Sequence, residues 1–179
     1  MGWPDKELIT AGVLNMLQVN MGWQEGERLL VLTDLPTGEQ WRQEPPARLM
    51  VMLERAMLAR LVADIAVELY PHSPVEFHAF PATGSHGAEP DPETAQKMAA
   101  AEVVIAITSY SLSHTDARER ATQAGVRLAS MPTFLAEMFY PDGPMAVDYQ
   151  QIAAEARAVA RLLTAADQVQ VRSPAGTDI

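Results

Sequence analysis

The run Glu102-Val-Val-Ile-Ala-Ile-Thr108 constrains the fold of this chain more than any other stretch of its sequence. Its five consecutive apolar residues are mostly β-branched, and the run is the length of a strand rather than of a helix. A strand that is apolar on both faces is typical of a parallel sheet covered by helices on each side. The run therefore predicts a central strand of an α/β domain.

Other strand patterns alternate with helical ones along the chain. The predicted strands cover residues 27–34, 75–80, 102–108 and 126–129. The predicted helices cover residues 9–22, 49–69, 92–101, 113–124 and 146–163, with a helical turn at 132–139 and loops at 35–46 and 81–92. Helices of this length between strands imply right-handed crossovers. We predict a doubly wound, mainly parallel sheet flanked by helices, which is a three-layer Rossmann-like or flavodoxin-like α/β fold.

The composition excludes several classes of partner. A formal net charge of −10 with no cluster of Lys or Arg argues against nucleic acid. The longest apolar run is far too short to cross a bilayer, so we expect no membrane partner. The first seven residues show no signal-peptide pattern, and the chain has no cysteine. We therefore expect a soluble, acidic protein of the cytoplasm.

A polar segment, Thr108-Ser-Tyr-Ser-Leu-Ser-His-Thr115, joins the central strand to the next helix. Ligands of open α/β sheets bind outside the carboxyl ends of the strands, where the N–H groups of a helix favour anions. The segment predicts a site for a phosphate or a carboxylate, with ligand-binding residues Thr108, Ser109, Ser111, Ser113, His114 and Thr115. The alternative is that the hydroxyls only cap the helix and order the loop, with Ser113 and Asp116 at capping-box spacing.

No motif for catalysis or metal binding is present. The four histidines form no His-Glu-x-x-His or similar pair. His86 with Glu89 and Asp91 is a candidate group for a hard cation, although such a loop is more often only solvated. There is also no nucleophile elbow or phosphate-binding glycine loop. We predict no catalytic residue and no metal ligand in this chain.

The last residues predict a domain boundary. Residues 168–179 have the pattern of a strand, a turn and the start of a second strand. We expect residues 1–166 to form an N-terminal α/β domain. Residues 167–179 would then begin a second, β-rich domain that lies beyond this sequence.

Four stretches, at residues 82–90, 98–115, 124–132 and 173–178, carry a family resemblance in their order and spacing. They resemble the N-terminal region of the metallo-aminopeptidases of family M29, such as aminopeptidase T. The most specific are Thr108-Ser-Tyr-Ser-Leu-Ser-His-Thr115 and Ser173-Pro-Ala-Gly-Thr-Asp178. The resemblance implies a homodimeric hydrolase that removes N-terminal amino acids from peptides.

In that family the catalytic residues lie in the second domain, which would hold two divalent metal ions such as zinc or cobalt. The resemblance thus implies that this domain shapes the active-site cavity or the dimer and holds no cofactor. By itself it would be inactive toward peptide or small-molecule substrates. Two alternatives stay open: the N-terminal domain of an iron-dependent dioxygenase that cleaves the ring of dihydroxypyridine, and a stand-alone small-molecule-binding α/β domain.

Overall fold

A computed structural model describes residues 4–179 of the chain. Residues 1–3, which begin the segment searched for a signal peptide, lie outside the described residues. The chain divides into two compact units, Met1–Ala146 and Val147–Ile179. No helix within residues 4–179 combines the length and the apolar character that a membrane span requires.

The first unit alternates helices and strands as its sequence patterns predict. Its strands are β1 (Leu29–Leu35), β2 (Val75–Pro81), β3 (Val103–Ala106) and β4 (Arg127–Ser130). Its helices are α1 (Lys6–Asn15), which continues as a π-helical turn Met16–Asn20, then α2 (Gly38–Gln43), α3 (Pro46–Leu69), α4 (Pro92–Ala100) and α5 (Asp116–Gln123). Two 3₁₀ turns, Ala136–Phe139 and Pro144–Ala146, end the unit.

The four strands form one parallel sheet in the order β2-β1-β3-β4. The chain moves from β1 to β2 on one side and then crosses back to β3 and β4 on the other. The predicted doubly wound, three-layer α/β fold is therefore confirmed. In such a sheet the switch point lies between β1 and β3, where the two directions of winding meet.

Each face of the sheet buries its own apolar cluster because successive side chains of a strand point to opposite faces. Val31 and Ile105 face α1 and α3, where Val13 and Val62 complete the packing. On the other face, the cluster under α4 and α5 contains Leu30, Leu32, Val104, Ala106, Met98 and Ala121. Burial on both faces explains why β3 is apolar at every position.

Three local predictions were wrong. The predicted loop at 35–46 contains α2, which begins with a capping box between Thr37 and Gln40. The helix predicted from Ser113 begins instead at Asp116, because the Thr115 side chain caps it by accepting the N–H of Arg118 at 3.1 Å. The predicted capping box between Ser113 and Asp116 does not form. Gly125 ends α5 with a φ of 94°, as its sequence position predicts.

The second unit contains α6 (Tyr149–Ala165), whose first turn is capped by the carboxylate of Asp148. Beyond it, the backbones of Val171 and Ile179 exchange two hydrogen bonds, and Arg172 pairs with Asp178 in an antiparallel bridge. The chain therefore turns back on itself as predicted, but residues 168–179 form this single bridge rather than the predicted strand. The assignment of residues 167–179 to a further domain stays a prediction.

Candidate functional site

The carboxylate of Asp34 occupies the switch point of the sheet. Asp34 is 1% exposed near the end of β1. Its Oδ1 accepts the backbone N–H of Ser109 at 2.6 Å, and its Oδ2 accepts that of Tyr110 at 3.3 Å. Burial raises the pKa of Asp34 above its ordinary value of 3.8, while these N–H groups act in the opposite direction. The carboxylate thus ties β1 to the loop that follows β3.

The raised pKa of Asp34 predicts a specific pH dependence. A carboxyl whose pKa is higher in the folded state than in the unfolded state stabilises the fold at low pH, and this contribution is lost as the pH rises through the folded-state pKa. We expect the unfolding free energy of the wild type, relative to that of Asp34→Asn, to fall as the pH rises from 3.8. Urea titrations across this range, with an NMR titration of the Asp34 carboxyl carbon, would measure it. A carboxyl that titrates at or below 3.8 would contradict the prediction.

Two arginines of α3 bring positive charge to the same end of the sheet. They lie seven residues apart and so share one face of the helix. Arg48 donates to the hydroxyl of Tyr110 at 2.8 Å and pairs with Glu44 at 3.2 Å. Arg55 donates from Nη1 to the Ser109 hydroxyl at 3.4 Å. The site can therefore offer guanidinium, phenol and hydroxyl donors to an acceptor or an anion.

The predicted ligand-binding residues do not share one position around this site. The hydroxyl of Thr108 donates to the carbonyl of Tyr110 at 2.7 Å, and that of Thr115 donates to the carbonyl of Leu112 at 2.8 Å. Among the predicted six, Ser109 is bonded to both Asp34 and Arg55. The other three, Ser111, Ser113 and His114, lie farther along the loop. The hydroxyl of Ser111 accepts the N–H of Ser113, and His114 is exposed.

The amino end of α5, where an external anion was expected, is capped by the protein itself. The carboxylate of Glu89 accepts the N–H groups of Asp116 and Ala117, the first two residues of the helix. A carboxylate at this position satisfies unpaired backbone donors and is favoured by the helix dipole. Any phosphate or carboxylate ligand at this helix would have to displace Glu89. Binding by the six predicted residues stays a prediction.

Replacement of Glu89 should expose this helix end. We expect Glu89→Ala to lower the free energy of unfolding by about 1 kcal/mol, because two backbone donors lose their acceptor. We also expect 20 to 50 mM phosphate, about the range of a weak ligand, to stabilise the variant more than the wild type. Thermal unfolding with and without phosphate would measure both effects. Glu25→Ala is the control, because it makes the same charge change at an exposed residue. It should show neither the loss of stability nor the added response to phosphate. Equal stabilisation by phosphate in the wild type and both variants would contradict the prediction.

The proposed cation group of the 81–92 loop does not converge on one point. The Nδ1 atom of His86 accepts the N–H of Ser111 at 2.9 Å. Asp91 caps α4 by accepting the N–H and the hydroxyl of Thr94, and Glu89 caps α5. Within residues 4–179, no three His, Asp or Glu side chains are placed to hold a metal ion together.

A strained residue lies beside the same sheet edge. Thr133 has a φ of 59°, and a β-branched side chain adopts this left-handed conformation at a cost of about 1–3 kcal/mol. Its N–H donates to the carbonyl of Thr108 at 2.9 Å, which fixes the segment after β4 to the loop after β3. Such strain is commonest at functional sites.

Comparison of the sequence with protein-family models and with curated proteins gives no match. Among solved structures, the fold is similar to that of 2,5-dihydroxypyridine dioxygenase from Pseudomonas putida KT2440. The TM-score is 0.59 at 18% sequence identity, over 97% of this chain and 46% of the dioxygenase chain. The two proteins share a fold. This chain spans less than half the length of that enzyme.

Three polar residues of this candidate site escaped the sequence analysis: Asp34, Arg48 and Arg55. Glu89 was considered there only as a cation ligand, and its capping contact with α5 was not predicted. Asp34 had a usable signal, because an acidic residue at the end of a buried strand stands where parallel sheets bind ligands. The arginines had only their seven-residue spacing on a long helix. The capping contact of Glu89 had no sequence signal, since it joins residues that are 27 positions apart.

Proposed function

We propose that this chain is the α/β domain of a metal-dependent enzyme that opens a hydroxylated heteroaromatic ring. In this proposal the metal belongs to another domain, and the present domain forms one wall of the active-site cavity. The observation that supports the proposal is the similarity of fold to 2,5-dihydroxypyridine dioxygenase over 97% of this chain. More than half of the dioxygenase chain lies outside the matching region. In this proposal, that part corresponds to the domain that holds the metal.

The described residues do not fit a metal ion. Their contribution would be to bind and orient. The Arg48 guanidinium, held by the Tyr110 hydroxyl, and the Arg55 guanidinium lie at the carboxyl ends of the strands. Cationic donors at this position suit a substrate that carries hydroxyl or carboxylate oxygens, because charge-assisted hydrogen bonds to such atoms are the stronger ones.

The second candidate is a metallo-aminopeptidase-like hydrolase, and the family resemblance of residues 108–115 and 173–178 favours it. In this proposal the full protein would be a homodimer that uses two divalent ions, such as zinc or cobalt, to activate water and polarise a peptide carbonyl. The α/β domain would then limit the length of the peptide or line the dimer contact. For either enzyme we propose a cytoplasmic location, in keeping with a chain that has no cysteine.

The deciding experiment compares both activities in the native protein isolated from its source. Its intact mass is measured first, and a mass well above 19.5 kDa is expected. Oxygen uptake with 2,5-dihydroxypyridine and ferrous iron tests the dioxygenase, and hydrolysis of leucine p-nitroanilide with zinc or cobalt tests the peptidase. Oxygen uptake alone supports the first proposal, and hydrolysis alone supports the second. A native mass of 19.5 kDa without either activity would overturn both.

The isolated 179-residue chain serves as the matched control. We expect it to hold no stoichiometric zinc, cobalt, manganese or iron and to catalyse neither reaction. Elemental analysis by mass spectrometry would check the first expectation. One metal ion per chain would show that the metal site lies in this domain rather than in another one.

A further inference from the structure

A cleft of about 240 Å³ lies between α3 and the segment that follows β4. Its apolar lining includes Leu58, which is 1% exposed, and the side chains of Phe134 and Tyr140. Leu135 lies at the same cleft and is 44% exposed. The volume is close to the lower limit of about 300 Å³ for small-molecule sites, so a ligand of this cleft would be small.

The polar group of the cleft is Arg55. Its side chain is half-buried. Its Nη1 donates to Ser109, but its Nε atom is buried without a hydrogen-bond partner in the described part of the chain. No carboxylate oxygen of residues 4–179 lies within 4.0 Å of this guanidinium, whereas Arg48 on the same helix face has Glu44 at 3.2 Å. The carboxylates of Asp34 and Glu54 favour the charged form of Arg55, but its buried Nε–H has no acceptor among the described residues. A buried donor without an acceptor is unfavourable, and a ligand oxygen would relieve that cost.

Two acidic side chains of the lining limit what charge the cleft accepts. Glu54 and the exposed Glu137 both lie along it. Their charges, in a chain of net charge −10, repel any anion, and they repel a dianion such as phosphate at neutral pH about twice as strongly as a monoanion. A single carboxylate can pair with Arg55, and an apolar group attached to it can contact Leu58 and Phe134.

We propose that this cleft binds a small monocarboxylate with an apolar tail, the carboxylate pairing with Arg55 and the tail lying against Leu58 and Phe134. The site differs from the anion site predicted at the amino end of α5, because it is built by α3 and residues 134–140. The inference concerns the first unit alone. It shares Arg55 with the proposed function, in which the same guanidinium contacts Ser109, but its test measures binding and needs neither enzyme activity.

The test is binding to the 179-residue chain by NMR, with 4-methylpentanoate as the probe. We expect the Nε–H signal of Arg55 to shift on titration. Acetate should bind at least about tenfold more weakly, because it lacks the methylene and methyl groups that the cleft would bury. Inorganic phosphate and 4-methylpentylamine should not shift the signal. The proposal would be overturned if 4-methylpentanoate left the Arg55 signal unchanged. It would also be overturned if phosphate or the amine bound as tightly as 4-methylpentanoate.

Variants locate the contact. Arg55→Gln should weaken binding of 4-methylpentanoate at least about tenfold, because a charge-assisted pair is lost. Arg60→Gln removes an exposed arginine of the same helix that pairs with Asp64, and affinity should stay within about twofold. Glu137→Gln keeps Arg55 and removes a repelling carboxylate, so it should tighten binding. This variant tests whether the acid binds in the cleft even if Arg55→Gln fails to fold. Unchanged affinity in both Arg55→Gln and Glu137→Gln would show that the acid does not bind in this cleft.

Discussion

Asp34→Ala is expected to lower the free energy of unfolding by about 2 to 3 kcal/mol at neutral pH. The substitution removes the acceptor of two buried backbone donors, the N–H groups of Ser109 and Tyr110. Ser109 is 7% exposed and Tyr110 is 6% exposed, so water cannot easily replace the carboxylate. The buried charge itself costs desolvation free energy, which keeps the net loss below the sum of two full penalties. Urea unfolding followed by tryptophan fluorescence would measure the change.

Asp34→Asn is the matched control, because it keeps one acceptor oxygen and the shape of the side chain. We expect it to lose about half as much stability as Asp34→Ala. The structure of the loop after β3 should also respond, so amide exchange at Ser109 and Tyr110 should accelerate more in the alanine variant. If Asp34→Ala unfolds at the same urea concentration as the wild type, the carboxylate does not hold β1 to that loop.

Gly12→Ala is expected to destabilise the protein by about 2 to 3 kcal/mol. In most helices the same substitution is stabilising by up to about 1 kcal/mol, because alanine has the higher helix propensity. Here an added Cβ would lie 2.4 Å from the carbonyl oxygen of Phe139 and 2.9 Å from its Cα. Both are backbone atoms, so a rotamer change cannot relieve the clash. The 3₁₀ turn at Phe139 would have to move away from α1, and Phe139 is fully buried.

Gly38→Ala is the control for this prediction. Gly38 is the first residue of α2, and the nearest atom to an added Cβ is Nη1 of Arg42 at 3.8 Å, an ordinary contact. We expect this variant to be as stable as the wild type or slightly more stable. Thermal and urea unfolding of the two variants should thus change in opposite directions. A Gly12→Ala protein at least as stable as the wild type would show that α1 does not approach Phe139 so closely.

The positions of the strands and of the long helices followed from the sequence with little ambiguity. The apolar run at residues 103–107 had to be buried on both faces, and it forms the inner strand β3. Leu58, Val62 and Ile65 of α3 lie in one apolar cluster, as helical spacing requires. The errors concerned polar segments. The start of α5 depends on which of two neighbouring hydroxyls caps it, and periodicity does not distinguish Ser113 from Thr115.

The sequence by itself therefore determined the fold class, because hydrophobic periodicity records which face of each element must avoid water. Only the tertiary structure decided the site. Asp34 meets Ser109 from 75 residues away, and Arg48 meets Tyr110 from 62. These pairings depend on strand order and on where a helix crosses the sheet. Local sequence does not encode those contacts, since a polar side chain has the same pattern whether it meets water, a backbone N–H or a guanidinium.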